Sequence, residues 1–121
     1  MAVILVVDDT EMERVLLTRV ITGAGHEVIV AKDGKECLAL AKEKQPSLIF
    51  LDIVMPIMDG FATCRQLRQE PMTSTIPVVL VTSKASDNDV FWGKKQGAVE
   101  HIAKPWTPWI IEMILQKYCP R

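Results

Sequence analysis

Three runs in this chain are apolar almost without interruption: Val3 to Val7, Leu48 to Leu51, and Ile76 to Val81 with one proline inside it. A strand with one wet face alternates polar and apolar residues, whereas an unbroken run is expected where both faces are covered, as in a parallel sheet flanked by helices. Each run then stops at a polar residue: Asp8-Asp9, Asp52 and Thr82-Ser83. A carboxylate closing an apolar strand is costly to desolvate unless it is paired, coordinated or reached by solvent. The acids at these strand ends therefore call for partners.

The segments between the runs read as helices and shorter strands. Thr10 followed by Glu13 has the spacing of a capping box, and Met12, Val15, Leu16, Val20 and Ile21 recur at helical spacing opposite Glu13, Arg14, Thr18 and Arg19. That helix is expected to end at Gly23 to Gly25, before a second strand from Glu27 to Ala31. Asp33 and Glu36 repeat the cap pattern ahead of Cys37, Leu40 and Ala41, with Pro46 closing the segment. After Asp52 the chain turns through Met55-Pro56-Ile57-Met58-Asp59-Gly60 into a helix carrying Phe61, Cys64 and Leu67, and Glu70 to Thr75 reads as a loop.

Ser86 or Asp87 can cap a fourth helix running to about Gly97. Val99 to Ala103 is a weaker fifth strand, interrupted by Glu100 and His101 and closed by Lys104-Pro105, and a last helix spans about Thr107 to Tyr118 through Ile110, Ile111, Ile114 and Leu115. Five alternations of strand and helix predict one α/β domain over residues 1–121, an open five-stranded parallel sheet with helices on both faces.

Bulk properties narrow the function. Lysine and arginine total 14 against 15 acidic residues, a net charge of -1 with no basic run, so a nucleic-acid surface is not expected. Cys37, Cys64 and Cys119 are odd in number and lack metal-binding spacing, which suits buried thiols in a reducing compartment. Asp8 and Asp9 cut the apolar opening short of a signal core or a membrane span, so a cytoplasmic protein is expected.

In open α/β sheets the functional crevice lies beyond the carboxyl ends of the strands, where Asp8-Asp9, Asp52, Thr82 and Lys104 all fall. With a flavodoxin-like strand order of 2-1-3-4-5, the first and third strands are neighbours and their three carboxylates converge. Acids that close repel one another and call for a cation, and hard oxygen ligands suit Mg²⁺ better than Zn²⁺. A divalent metal, the Lys104 ammonium and the Thr82 hydroxyl would together form a pocket for a phosphoryl group, with Asp52 as a nucleophile that could form an aspartyl phosphate.

Over essentially its whole length this pattern resembles the receiver domain of two-component response regulators, the CheY-like fold. The resemblance implies Asp52 as phosphoacceptor, Asp8 and Asp9 as the acidic pair for Mg²⁺, Thr82 as the switch hydroxyl, and Lys104 ahead of a cis Pro105. It also implies that the Val54 backbone carbonyl binds the metal, and that Val54 and Lys84, two residues past the acceptor and the hydroxyl, tune phosphate loss. The switch aromatic of the family is here His101, and Ser83 stands where alanine is common.

The implied partners are a histidine kinase as phosphodonor and an unidentified downstream protein, with no output domain following and a monomer or weak phosphorylation-dependent dimer. Phe91, Trp92, Trp106 and Trp109 fall in the region the family uses as a partner face, although at least one tryptophan is expected to pack in the core. Val90 to Ala98 is similar to the corresponding segment of PilH-type stand-alone receivers that control type IV pili. Two other readings stay open: a haloacid-dehalogenase-like phosphatase, whose nucleophile loop wants acids two apart rather than adjacent, and a receiver-shaped interaction module that is never phosphorylated.

Overall fold

Parallel pairing in fixed register determines the architecture of the chain, whose computed structural model describes residues 1–120. Five strands, β1 (Val3–Val7), β2 (Glu27–Ala31), β3 (Leu48–Leu51), β4 (Val78–Thr82) and β5 (Glu100–Ala103), alternate with α1 (Glu11–Gly23), α2 (Gly34–Lys44), α3 (Gly60–Gln69), α4 (Asp87–Lys95) and α5 (Pro108–Tyr118). The sheet order is β2-β1-β3-β4-β5 and every pair is parallel. This is the expected doubly wound CheY-like arrangement.

The unbroken apolar runs split by parity between two cores. Leu5, Val7, Ile49, Leu51, Val78 and Leu80 face Cys37 and Ala41 of α2 and Cys64 and Leu67 of α3. Ile4, Val6, Leu48, Phe50, Val79 and Val81 face Leu17 and Ile21 of α1 and Ile111, Ile114 and Leu115 of α5. Both sets are needed because a central strand buries alternate residues on opposite faces. The three cysteines are free and buried, and burial pushes the Cys37 thiol up to about 12 and the Cys64 thiol up to about 11.

Helix α1 departs from the expected face. Met12, Val15 and Leu16 are exposed, while Leu17, absent from the expected stripe, is buried together with Ile21. Two apolar stripes of helical spacing run side by side in this segment, and the way the helix is entered decides which one meets the sheet. Thr10 provides no side-chain cap, so the expected capping box does not form; Asp8 Oδ1 instead accepts the Thr10 N–H at 2.9 Å. Ser86, the first of the two candidates for α4, does form a reciprocal box with Asp89.

Leu17→Ala should lower unfolding free energy by about 2–4 kcal/mol, because it opens a cavity against the sheet. Leu16→Ala, on the exposed stripe, should change it by less than about 1 kcal/mol. Urea denaturation of both variants checks this, and the reverse ranking would refute the assigned face.

Candidate functional site

Register carries the polar residues to one edge. Val7 pairs with Leu51, so Asp8 and Asp52 follow side by side, and the Asp52 N–H donates to the Val7 carbonyl at 3.0 Å. Thr82 pairs with Ala103, and the Lys104 N–H donates to the Thr82 carbonyl at 3.0 Å. With Leu51 of β3 paired to Leu80 of β4, this register brings the four strand ends to one edge, as expected.

Asp8 and Asp52 are buried, at 5% and 6% exposure, and their oxygens are accounted for one by one. Asp52 Oδ1 accepts from the Ile53 N–H at 2.7 Å and the Val54 N–H at 3.3 Å. Asp8 Oδ1 is held by Thr10, and the two remaining oxygens share one ammonium: Lys104 Nζ donates to Asp8 Oδ2 at 2.8 Å and to Asp52 Oδ2 at 3.2 Å. Burial pulls the Lys104 pKa down, but the Asp8 hydrogen bond and the Asp52 and Asp8 charges outweigh it and hold the group above its ordinary value. The lysine is thus a fixed cation between two desolvated anions. The peptide bond that follows it, to Pro105, is cis.

Asp9 completes a cluster in which one carboxylate oxygen each from Asp8, Asp9 and Asp52 lies within 4.8 Å of the others. An all-oxygen set with one exposed member, able to leave water on the ion, fits a hard divalent cation such as Mg²⁺. The Val54 side chain is 53% exposed beside this cluster. Opposite, Thr82 is fully buried and its hydroxyl oxygen accepts the Lys84 N–H at 3.1 Å, which leaves its own O–H to donate.

The other expected residues lie farther out. The Lys84 ammonium is 3.7 Å from Asp89, whose carboxyl is held below its usual value chiefly by the Ser86 hydroxyl. His101 Nε2 meets the Lys84 carbonyl at 2.8 Å, while its buried Nδ1 has no partner. Phe91, Trp92 and Trp109 are exposed. Trp106 is separate from them: it packs against the core shared by α1 and α5 and lines an open groove of about 820 Å³ with Thr10, Glu13, Leu16, Lys104 and Pro108.

Three contacts were not anticipated from the sequence. Arg14 Nη1 donates to the Asp8 carbonyl at 2.6 Å, and Glu13 Oε2 lies 3.8 Å from Lys104 Nζ. Gly60, expected only as a turn residue, starts α3 directly over the acid-bearing strand end, its N–H donating to the Ile53 carbonyl at 2.8 Å. A Cβ there would overlap the Asp52 carbonyl oxygen and stand 2.7 Å from Ile53 Cα. The Asp59-Gly60 pair was the available signal, an N-cap followed by a residue without a side chain.

The chain has recognisable relatives in sequence and in fold. Residues 4–116 match the response regulator receiver domain family. Over 105 residues the chain is 44% identical to protein PilH of Pseudomonas aeruginosa, covering 87% of each chain. Among solved structures it is similar to chemotaxis protein CheY4 of Vibrio cholerae, with a TM-score of 0.91 and 32% identity over 98% of both chains. It is also similar to the Mn²⁺-bound form of response regulator Rcp1, with a TM-score of 0.83 and 25% identity over 96% of this chain and 93% of the other.

Gly60→Ala should destabilise the protein by about 1–3 kcal/mol, because backbone atoms rather than a flexible side chain meet the new methyl. It should also shift the amide resonances of Asp52 and Ile53. Chemical denaturation and amide spectra check both, and a neutral substitution would show that α3 does not brace the strand end.

Proposed function

The chain belongs to the response regulator receiver family, and from that premise we propose that it is a single-domain response regulator that accepts a phosphoryl group on Asp52 from a phosphohistidine of a partner kinase. The observation that carries this reading is the Lys104 ammonium placed between Asp8 and Asp52 at the edge of a three-carboxylate cluster. In this reading Asp8, Asp9, Asp52 and the Val54 carbonyl would hold Mg²⁺, the fit resting on the all-oxygen donor set of the three acids. Bound there, the metal would offset the negative charge that builds up as carboxylate and phosphoryl oxygens approach.

The chain's own residues do the rest. An Asp52 carboxylate oxygen forms a bond to phosphorus while the phosphorus–nitrogen bond of the phosphohistidine breaks, and the electron pair goes to the imidazole nitrogen, which takes up a proton. A phosphoramidate is reactive enough for positioning and charge neutralisation to suffice. Lys104 supplies the fixed positive charge for a phosphoryl oxygen, and the Thr82 O–H, left over from its bond with Lys84, donates to another.

Signal output is assigned to the face of α4, β5 and α5, where Phe91, Trp92 and Trp109 offer exposed aromatic area to a downstream protein. The 44% identity to PilH supports a place in a chemotaxis-like system of the type that controls pilus motility. The protein is then a phosphorylated signal carrier rather than a turnover enzyme. Among the described residues no helix is long and apolar enough to cross a membrane.

Asp52→Asn should abolish labelling of the Mg²⁺-supplied protein by acetyl phosphate, read by intact mass; undiminished labelling at a single site would refute the assignment. Val54 offers an attacking water no hydrogen bond. An amide at that position, which adds one bond of about 1 kcal/mol, should shorten the lifetime of the aspartyl phosphate about fivefold. If Val54→Asn decays at the unaltered rate, position 54 does not govern phosphate loss.

A further inference from the structure

Glu13 occupies the third position of α1, where a capping box would turn its carboxylate back to the N-cap amide. That amide, Thr10 N–H, is already taken by Asp8 Oδ1 at 2.9 Å. Released from the cap, Glu13 Oε2 stands 3.8 Å from Lys104 Nζ, with its side chain 35% exposed and that of the lysine 17% exposed. It lines the small internal space shared by Asp8, Asp52 and Lys104, and also the outer groove, which touches Lys104 but neither aspartate. Glu13 is therefore a third carboxylate on the lysine, reached from the solvent side.

A metal ion at the three-acid cluster creates a conflict at Asp8. One of its oxygens holds Thr10 and the other, Oδ2, holds Lys104 through the shorter of the lysine's two hydrogen bonds. If the oxygen facing Lys104 turns to the metal, the ammonium loses that bond just as a second positive charge arrives. A partly desolvated ammonium left without a partner is costly. Glu13 is the only other carboxylate that the described residues bring within 4.0 Å of that nitrogen.

We propose that Glu13 is a positioning residue that takes over Lys104 when Asp8 turns to a divalent cation, easing metal binding and keeping the ammonium at the site. The inference rests on the reading of the acid cluster as a metal site and does not require Asp52 to be phosphorylated. Because Glu13 acts through Lys104, its effect must disappear with the lysine, whereas a general contribution of negative charge would persist.

The test is a titration of the full chain with MgCl₂, followed by the amide shifts of Asp8, Ile53 and Val54. Glu13→Gln should weaken Mg²⁺ binding about threefold to fivefold, as expected for one partly exposed ion pair. Glu11→Gln, which removes the same charge from the same first turn of α1, should weaken it less than about twofold. In a Lys104→Met background the further change Glu13→Gln should cost less than about twofold.

Equal losses from Glu13→Gln and Glu11→Gln, or an undiminished Glu13 effect without Lys104, would overturn the proposal. Should Lys104→Met not fold, the comparison of the two glutamates decides alone. Failure of the unaltered chain to bind Mg²⁺ would overturn both the metal reading and this inference, and is seen before any variant is compared. Normal Mg²⁺ binding without labelling of Asp52 would count against the phosphoacceptor role alone.

Discussion

Two desolvated carboxylates at neighbouring strand ends, held by one ammonium, are the constraint on which the rest of the structure depends. Asp8 and Asp52 are both nearly inaccessible, and their paired strands prevent them from moving apart. Their Oδ1 atoms are taken by local N–H groups, which leaves two inward oxygens for Lys104. That lysine comes from 96 residues beyond Asp8 and 52 beyond Asp52. Removing one member of such a triad leaves an uncompensated buried charge, a larger penalty than the net worth of the contact. The sheet order, the β4–β5 pairing that ends in Lys104 and the packing that excludes water from the edge all serve this arrangement.

The strands and their polar ends were legible because burial on two faces demands unbroken apolar runs, and because a charge at the end of such a run is too costly to keep there without a partner. Strand β5 was hardest to read for a physical reason. It is an edge strand with a neighbour on one side only, so it tolerates Glu100 and His101. Glu100 is not simply solvated there: Lys117 and Tyr118 donate to its carboxylate at 2.8 and 2.6 Å and hold its pKa below the usual value. Those partners lie in the last turn of α5, a distance in sequence that no local pattern spans.

The face of α1 was not legible, and the reason lies at the site rather than in the helix. Periodicity permits either of two adjacent stripes, and the capping-box spacing of Thr10 and Glu13 describes a helix start free of other demands. Asp8 makes such a demand by accepting the Thr10 N–H at the entry of a helix that buries Leu17 and exposes Leu16. The same substitution of one acceptor for another releases Glu13 toward Lys104. A local rule thus fails next to the acid cluster, where the demands of desolvated carboxylates override local preference. Trp106 follows a similar logic: it was grouped with the other aromatics by sequence proximity, but the chain after Pro105 runs back toward α1 and places it beside the lysine.

Residue 84 joins the buried hydroxyl to the edge strand. Its N–H is held by Thr82 and its carbonyl by His101, so Thr82 and His101 grip opposite ends of one residue. Because the carbonyl can only accept, His101 Nε2 carries the proton of that bond, and the buried Nδ1 is left facing the start of the last turn of α4. Gly93 is what makes room for it: a Cβ there would stand 3.1 Å from His101 Nδ1 and 2.7 Å from Leu80 Cδ1. Thr82 and His101 thus meet through a single loop residue despite their separation in sequence. The ring atom that bonds the loop and the ring atom that faces the helix are both nitrogens, and only one of them has a hydrogen-bond partner.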